Sequence, residues 1–424
     1  MRPPILLSLA VLALAAPLHA QRADDPNLAR AKKVLRATPL IDGHNDLPWR
    51  IREDSTHPRD VEAYDLRRRV PGMTDIPRLR EGMVGGQFWS VYIPGEIRDS
   101  GYARVQLEEM DIARRVIAKY PDTFQWALTP DALRRAHKSG KIGSLLGLEG
   151  GHAIENSLGA LRAYYDLGAR YMTLTHNVTT DWADAAMDSA KHGGLTRFGE
   201  EVVREMNRLG MLVDLSHVSD ATMSDALNVS EAPVIFSHSS ARAIADVPRN
   251  VPDSILARLP KNGGVVMVTF VPGFISPQAA AQGRAWESAL AEAKRAHPGD
   301  SAAVRQAMDA WRAANPAPKA TLAQVADHID HIRKVAGVDH VGIGGDFDGI
   351  SETVEGLEDV SKYPMLFAEL ARRGWSERDL RKLAGENILR VLGEAQAVAA
   401  RLQRQRPPST KTIEELDGRK TASK

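Results

Sequence analysis

The chain has 424 residues, 43% hydrophobic and 26% charged, a balance that suits a folded globular protein and excludes a disordered one. Its 55 basic and 54 acidic residues nearly cancel, which argues against a nucleic-acid partner, and short runs such as Arg67-Arg68-Arg69 read as solvated surface. The chain contains no cysteine, so disulfides, thiolate metal ligands and a lipidated cysteine are excluded.

In chain order, the first feature is an export signal at residues 1–20. Arg2 supplies the charge, residues 5–16 the apolar run, and Pro17-Leu18-His19-Ala20 the cleavage region. That run is shorter than the ~20 residues a membrane span needs, and no later segment is apolar enough to be one. The mature chain is therefore expected outside the cytoplasm, periplasmic or secreted, with no membrane span. Short apolar runs follow at residues 40–41, 87–93, 142–148, 171–174, 211–215, 234–236, 265–270 and 340–343. Helical patterns separate them at 103–119, 158–167, 197–209, 220–227, 253–259 and 322–336. Eight strands alternating with helices predict an α/β fold, a (β/α)8 TIM barrel over residues 21–400; a doubly wound open sheet shares the same alternation. Residues 276–319, rich in alanine and charge, read as a helical insertion after the seventh strand. Residues 401–424 are charged, contain Pro407-Pro408, and read as a surface tail.

The chemistry lies at the strand ends. His44 and Asp46 follow the first run, and the i, i+2 spacing of an extended chain turns both to one side. Glu149 ends the third run, His176 the fourth, His217 the fifth and His238 the sixth. Asp346 and Asp348 follow the last. In a barrel these ends converge on one face, where active sites sit. Imidazole and carboxylate without thiolate suit zinc and similar divalent ions. Five ligands, His44, Asp46, Glu149, His217 and His238, are more than one tetrahedral ion requires. A bridging Glu149 between two ions about 3.5–4 Å apart resolves the count, and such a pair activates a shared water as hydroxide. The histidines of Asp327-His328-Ile329-Asp330-His331 also resemble a metal pair, but they fall on a helix and read as structural. His152 reads as a partner of a ligand or as part of a substrate loop.

These residues resemble the membrane (renal) dipeptidases, peptidase family M19 of the amidohydrolase superfamily. The likeness is carried by Leu40-Ile41-Asp42-Gly43-His44-Asn45-Asp46-Leu47-Pro48, Gly147-Leu148-Glu149-Gly150-Gly151-His152 and Leu174-Thr175-His176-Asn177. It continues through Asp214-Leu215-Ser216-His217-Val218-Ser219, Phe236-Ser237-His238-Ser239-Ser240-Ala241, Arg249-Asn250-Val251-Pro252-Asp253 and Gly344-Gly345-Asp346-Phe347-Asp348-Gly349, with Glu355-Gly356-Leu357-Glu358-Asp359-Val360 last. It spans about residues 38 to 395. The resemblance implies one zinc on His44, Asp46 and Glu149 and a second on Glu149, His217 and His238. It implies that His176 polarises the scissile carbonyl, that Arg249 binds the substrate's terminal carboxylate, and that Asp346 transfers the proton, with Asp348 a rival. The implied substrate is a small dipeptide with free ends, tolerating a D-residue at its carboxyl end; a homodimer is left open. The sequence departs from the animal relatives in lacking cysteines and a hydrophobic C-terminal tail, so "membrane" is read as a family name and not a location. A tyrosine of relatives falls on Phe274. Two other readings stand beside the dipeptidase. One is a two-metal hydrolase of an N-acyl amino acid or lactam, disfavoured by a carboxylate anchor at Arg249. The other is a non-catalytic scaffold, disfavoured by His176 and Asp346.

Overall fold

The computed structural model describes residues 25–97 and 101–418. The export signal read at residues 1–20 lies outside them. Nine parallel strands form one sheet: β1 Leu40–Asn45, β2 Val84–Tyr92, β3 Phe124–Trp126, β4 Ile142–Glu149, β5 Ala169–Thr173, β6 Leu212–Asp214, β7 Ile235–Phe236, β8 Val265–Val268 and β9 Val341–Ile343. Their order is β2-β1-β9-β8-β7-β6-β5-β4, and β2 pairs again with β4 from Gly86↔Gly143 to Tyr92↔Glu149. That last pairing closes eight strands into a (β/α)8 barrel, which leaves no edge and excludes the open doubly wound sheet. β3 lies outside the ring and pairs only with Ile142–Ser144 at the start of β4.

Apart from Tyr92 at the end of β2, the barrel strands are buried along their whole length, which is why they read as apolar runs in the sequence. Ile41, Phe88, Leu145, Tyr171, Leu212, Ile235, Val265 and Met267 form one buried cluster drawn from all the barrel strands but β9. The Tyr171 hydroxyl crosses the interior from β5 and donates to the Gly43 carbonyl of β1 at 3.2 Å. Gly147 makes this crossing feasible, because a Cβ there would lie 1.9 Å from the Tyr171 ring.

Segment 276–319 holds two helices, Pro277–Ala296 and Ser301–Ala314, capped by Ser276 and Asp300 and packed on each other. Residues 401–418, read as part of a surface tail, are mostly exposed and carry regular structure. Helix Asn387–Gln405 runs on to residue 405, and Ile413–Asp417 forms a further helix with Ile413 buried. Arg162 Nη1 donates to Ser409 O at 3.0 Å, and Phe198 N donates to Asp417 Oδ1 at 3.2 Å. These long-range bonds dock the segment; local composition gives no sign of them.

Candidate metal centre and active site

The carboxyl ends of the strands carry the polar residues. His44 sits in β1 and Asp46 directly precedes the helix Leu47–Arg52 without capping it through its side chain; Glu149 is the last residue of β4. His176, His217, His238 and Asp346 lie two or three residues beyond β5, β6, β7 and β9. Glu149 is the meeting point. Its Oε1 lies 3.1 Å from His217 Nε2, 3.4 Å from His238 Nε2 and 4.0 Å from His176 Nε2. Its Oε2 lies 3.4 Å from His44 Nε2, which is 3.2 Å from Asp46 Oδ2.

The far nitrogens of His44, His217 and His238 are engaged. His44 Nδ1 meets the Tyr171 hydroxyl at 2.9 Å, His217 Nδ1 meets Asn177 Oδ1 at 3.1 Å, and His238 Nδ1 meets Ser237 Oγ at 2.8 Å. Each ring is thereby turned so that Nε2 faces Glu149, the orientation that partners of metal ligands impose. His44 Nε2 is buried with no hydrogen-bond partner, and His217 Nε2 and His238 Nε2 face each other at 2.9 Å. Unshared nitrogens converging on carboxylates in a buried pocket fit a divalent cation. Three overlapping groups have ligand atoms close enough to hold one: His44, Glu149 and His238; Glu149, His176 and His217; and His44, Asp46 and Asp346.

Two buried aspartates brace this arrangement. Asp214 accepts from Ser237 Oγ at 2.6 Å, Thr173 Oγ1 at 2.5 Å and Ser237 N at 2.8 Å, and so fixes the serine behind His238. Asp42 accepts from His44 N and Gly345 N, both at 2.8 Å, and from the Tyr363 hydroxyl at 2.5 Å, tying β1 to the loop after β9. His217, Asp346 and Asp348 have left-handed backbones, with φ of 68°, 64° and 67°. Such strain in non-glycine residues gathers where a site demands it. Gly349 is required for close approach, since a Cβ there would lie 2.3 Å from Asp46 Oδ2 and 2.6 Å from Asp346 Oδ1.

Burial alone would raise the Glu149 carboxyl, but the adjacent His44, His217 and His238 outweigh it and hold it well below the usual range. Burial pushes Asp346 well above that range, reinforced by Asp46 and Glu149 against the pull of His44. Asp348 is pushed up to about 6 by burial, and its Oδ1 accepts from Met73 N at 2.6 Å. Burial lowers His176 from its ordinary value. Arg249 is fully buried, which lowers it to about 10 and leaves it charged at neutral pH. Its guanidinium makes two long bonds, to Ser239 Oγ and His238 O, both at 3.4 Å, and stacks over Phe274 at 5.2 Å.

All the residues read as site candidates therefore come together. Asp46, Glu149, His176, His217, Arg249, Asp346 and Asp348 line one cavity of about 820 Å³, with His44 and His238 buried beside Glu149. The set His328 and His331 stays apart: His328 accepts from Ala241 N and contacts Ile275 O, both at 3.0 Å, while His331 pairs with Asp253. His152 contacts the Ile93 carbonyl at 3.0 Å and packs edge-on against Tyr102, linking the loops after β4 and β2. The cavity also includes residues that sequence reasoning missed, among them Trp49, Arg50, Tyr92 and Met187. Tyr92 closes its strand in register with Glu149, a pairing that the closed barrel shows and the sequence does not. It packs edge-on against His176, with ring centroids 4.7 Å apart.

A closed parallel barrel with histidines and carboxylates converging on one strand-end glutamate defines a metal-dependent hydrolase of the amidohydrolase type. The chain matches the family model "Membrane dipeptidase (Peptidase family M19)" over residues 28–406, and it belongs to that family. Among solved structures it is similar to the probable dipeptidase PvdM from Pseudomonas aeruginosa, at 25% identity and a TM-score of 0.75, covering 88% of this chain and 99% of that one. It is similar also to the dipeptidase AC, a metallopeptidase of family M19, at 25% identity and a TM-score of 0.68, covering 84% and 98%. A metallopeptidase from Rhodobacter sphaeroides, liganded with a phosphinate mimic of the dipeptide L-Ala-D-Ala, shares the fold at 24% identity and a TM-score of 0.67, covering 84% and 99%.

Proposed function

We propose that this metallo-dipeptidase is an exported two-zinc enzyme that hydrolyses dipeptides with both ends free. The observation that carries the reading is the convergence of the His44, His217 and His238 Nε2 atoms on the two oxygens of Glu149. His44, Asp46 and Glu149 would hold one ion, and Glu149, His217 and His238 the other. Bound there, two divalent ions supply Lewis acidity and a water whose proton is easily removed, the source of the hydroxide nucleophile.

The chain's own groups supply the rest. Arg249, buried and in no ion pair among the described residues, presents its fork to the substrate's terminal carboxylate. His176, kept neutral by burial, donates Nε2–H to the scissile carbonyl oxygen and stabilises the negative charge that develops on it. Asp346 takes the proton of the attacking water and delivers it to the leaving amine. Its placement beside His44 and Asp46 favours it over Asp348, whose Oδ1 is occupied by the Met73 amide. Among the described residues no helix is long and apolar enough to cross a membrane, and export rests on the sequence of residues 1–20.

Arg249 and the amine end together make the site a ruler for two residues. The side chain at the carboxyl end projects toward the cavity mouth, so its configuration matters little. The L-Ala-D-Ala mimic in the Rhodobacter enzyme is consistent with that geometry. We therefore expect L-Ala-L-Ala and L-Ala-D-Ala both to be cleaved, with N-acetyl-L-Ala-L-Ala and tri-alanine slower by at least a hundredfold, because each leaves a charged group unpaired. Comparison of kcat/KM for the four compounds checks this. Efficient cleavage of the N-acetylated compound would favour an N-acyl amino acid hydrolase instead.

A further inference from the structure

The helix Leu47–Arg52 begins one residue after the metal-facing Asp46, and the Arg50 amide donates to the Asp46 carbonyl at 2.9 Å. Arg50 is thus held one helical turn from the proposed metal centre, and it lines the same cavity as Arg249 and Asp346. Its charge acts on Asp54 without a direct ion pair. Arg50 Nε is buried without a hydrogen-bond partner, and Arg50 forms no ion pair among the described residues. The guanidinium lies against the Tyr64 hydroxyl, a neutral neighbour. Its stem passes close to Gly72, where a Cβ would lie 3.3 Å from Arg50 Cγ, 3.0 Å from the Tyr64 oxygen and 2.4 Å from Asp348 Oδ1, so the Asp348 carboxyl is a neighbour as well. A guanidinium beside the cavity with a buried, unpartnered Nε has a donor to offer a carboxylate.

The barrel's topology says which part of a substrate meets it. Arg249 follows β7, Asp346 follows β9, and Arg50 follows β1, the neighbour of β9 in the ring. A dipeptide whose carboxylate is at Arg249 runs toward β9 with its amine near Asp346. The side chain of its amino-terminal residue then faces the wall formed by Trp49 and Arg50. Trp49 is braced edge-on by Tyr92 at 4.8 Å and gives that side chain an apolar surface to lie along. Two acidic groups share this wall. Asp348 has Oδ1 engaged by Met73 N, and Glu53 is exposed at the rim. Arg50 is less exposed than Glu53 and is the cation of this wall.

We infer that Arg50 and Trp49 form a subsite for an acidic side chain on the amino-terminal residue of the dipeptide. This rests on the dipeptidase reading above. A glutamate there gains a forked, charge-assisted contact that its isostere glutamine lacks. Because the group is half-buried and partly screened by solvent, the preference should be roughly tenfold.

The test compares kcat/KM for L-Glu-L-Ala, L-Gln-L-Ala, L-Lys-L-Ala and L-Ala-L-Ala on the metal-loaded enzyme and on Arg50→Gln with its metal content verified. L-Ala-L-Glu against L-Ala-L-Gln reports on the other end. The expected result is L-Glu-L-Ala over L-Gln-L-Ala by about tenfold, mostly in KM, collapsing to near one in Arg50→Gln, with no matching preference at the carboxyl end. Equal rates for the first pair, or a glutamate preference that survives Arg50→Gln, would overturn the subsite. So would an acidic preference only at the carboxyl end, or L-Lys-L-Ala as the best substrate, which would hand the wall to Glu53. If no dipeptide is cleaved, L-Ala-L-Ala included, the dipeptidase reading itself fails and takes the subsite with it.

Discussion

Asp346 and Asp348 are two residues apart, both with left-handed backbones, yet only Asp346 belongs to a group of potential metal donors. Burial raises both carboxyls, and the difference lies in what surrounds them. Asp346 faces His44, Asp46 and Arg249 across the cavity, whereas Asp348 turns an oxygen to the Met73 amide on a neighbouring loop. Asp346→Asn should therefore keep the fold and the metal and lower kcat by roughly 10²–10⁴, the usual loss for a general acid–base group. Asp348→Asn should act mainly on stability. Steady-state rates with parallel metal analysis decide between them, and a dead Asp348→Asn beside a near-normal Asp346→Asn would reverse the assignment. At this scale the site was largely legible in the sequence. Histidines and carboxylates stand out against apolar runs, and each of the proposed ligands falls at or just beyond a strand. Arg50, Tyr92, Asp42 and Asp214 were not legible as parts of the site. Arginine, tyrosine and a strand aspartate are ordinary residues, and only the closure of the barrel shows what they face.

Helices and strands show a similar division. Barrel strands are buried on both faces, and eight such runs could be read directly; the short β3, Phe124-Gln125-Trp126, mixes a polar residue into three and pairs with β4 alone. The docked segment after residue 405 escaped notice because its partners, Arg162 and Phe198, lie more than two hundred residues away in sequence. His328 on helix Leu322–Ala336 shows how an element can be locked without metal. Its Nδ1 accepts from Ala241 N and its Nε2–H donates to Ile275 O, which needs the neutral ring, and burial lowers its pKa from 6.5 to about 4. Between those values the unfolded chain binds a proton that the folded one refuses. The stabilisation is thus complete above pH 6.5 and is lost as pH falls toward 4, by up to about 3 kcal/mol. Metal-stripped wild type should lose more Tm between pH 7.5 and 5 than metal-stripped His328→Gln, whose amide keeps one hydrogen bond without titrating. Parallel declines of the two proteins would show that this histidine does not couple protonation to folding.

The whole molecule places a buried cation, Arg249, and a cluster of buried carboxylates around one cavity, a charge arrangement that apolar packing alone does not reward. Bound metal and bound substrate are what would compensate it, so the free energy of assembling the strand ends is recovered in binding. Glu149 is the hinge of that account, since every proposed metal-ligand pair includes it or is joined through it. The direct measurement is the titration of metal-stripped protein with zinc, following activity on L-Ala-L-Ala and bound metal together in wild type and Glu149→Gln. Activity that rises to completion only at about two ions per chain, with Glu149→Gln retaining at most about one ion and almost no activity, is the predicted result. Full activity of the wild type with a single tightly bound ion per chain would contradict the bridge.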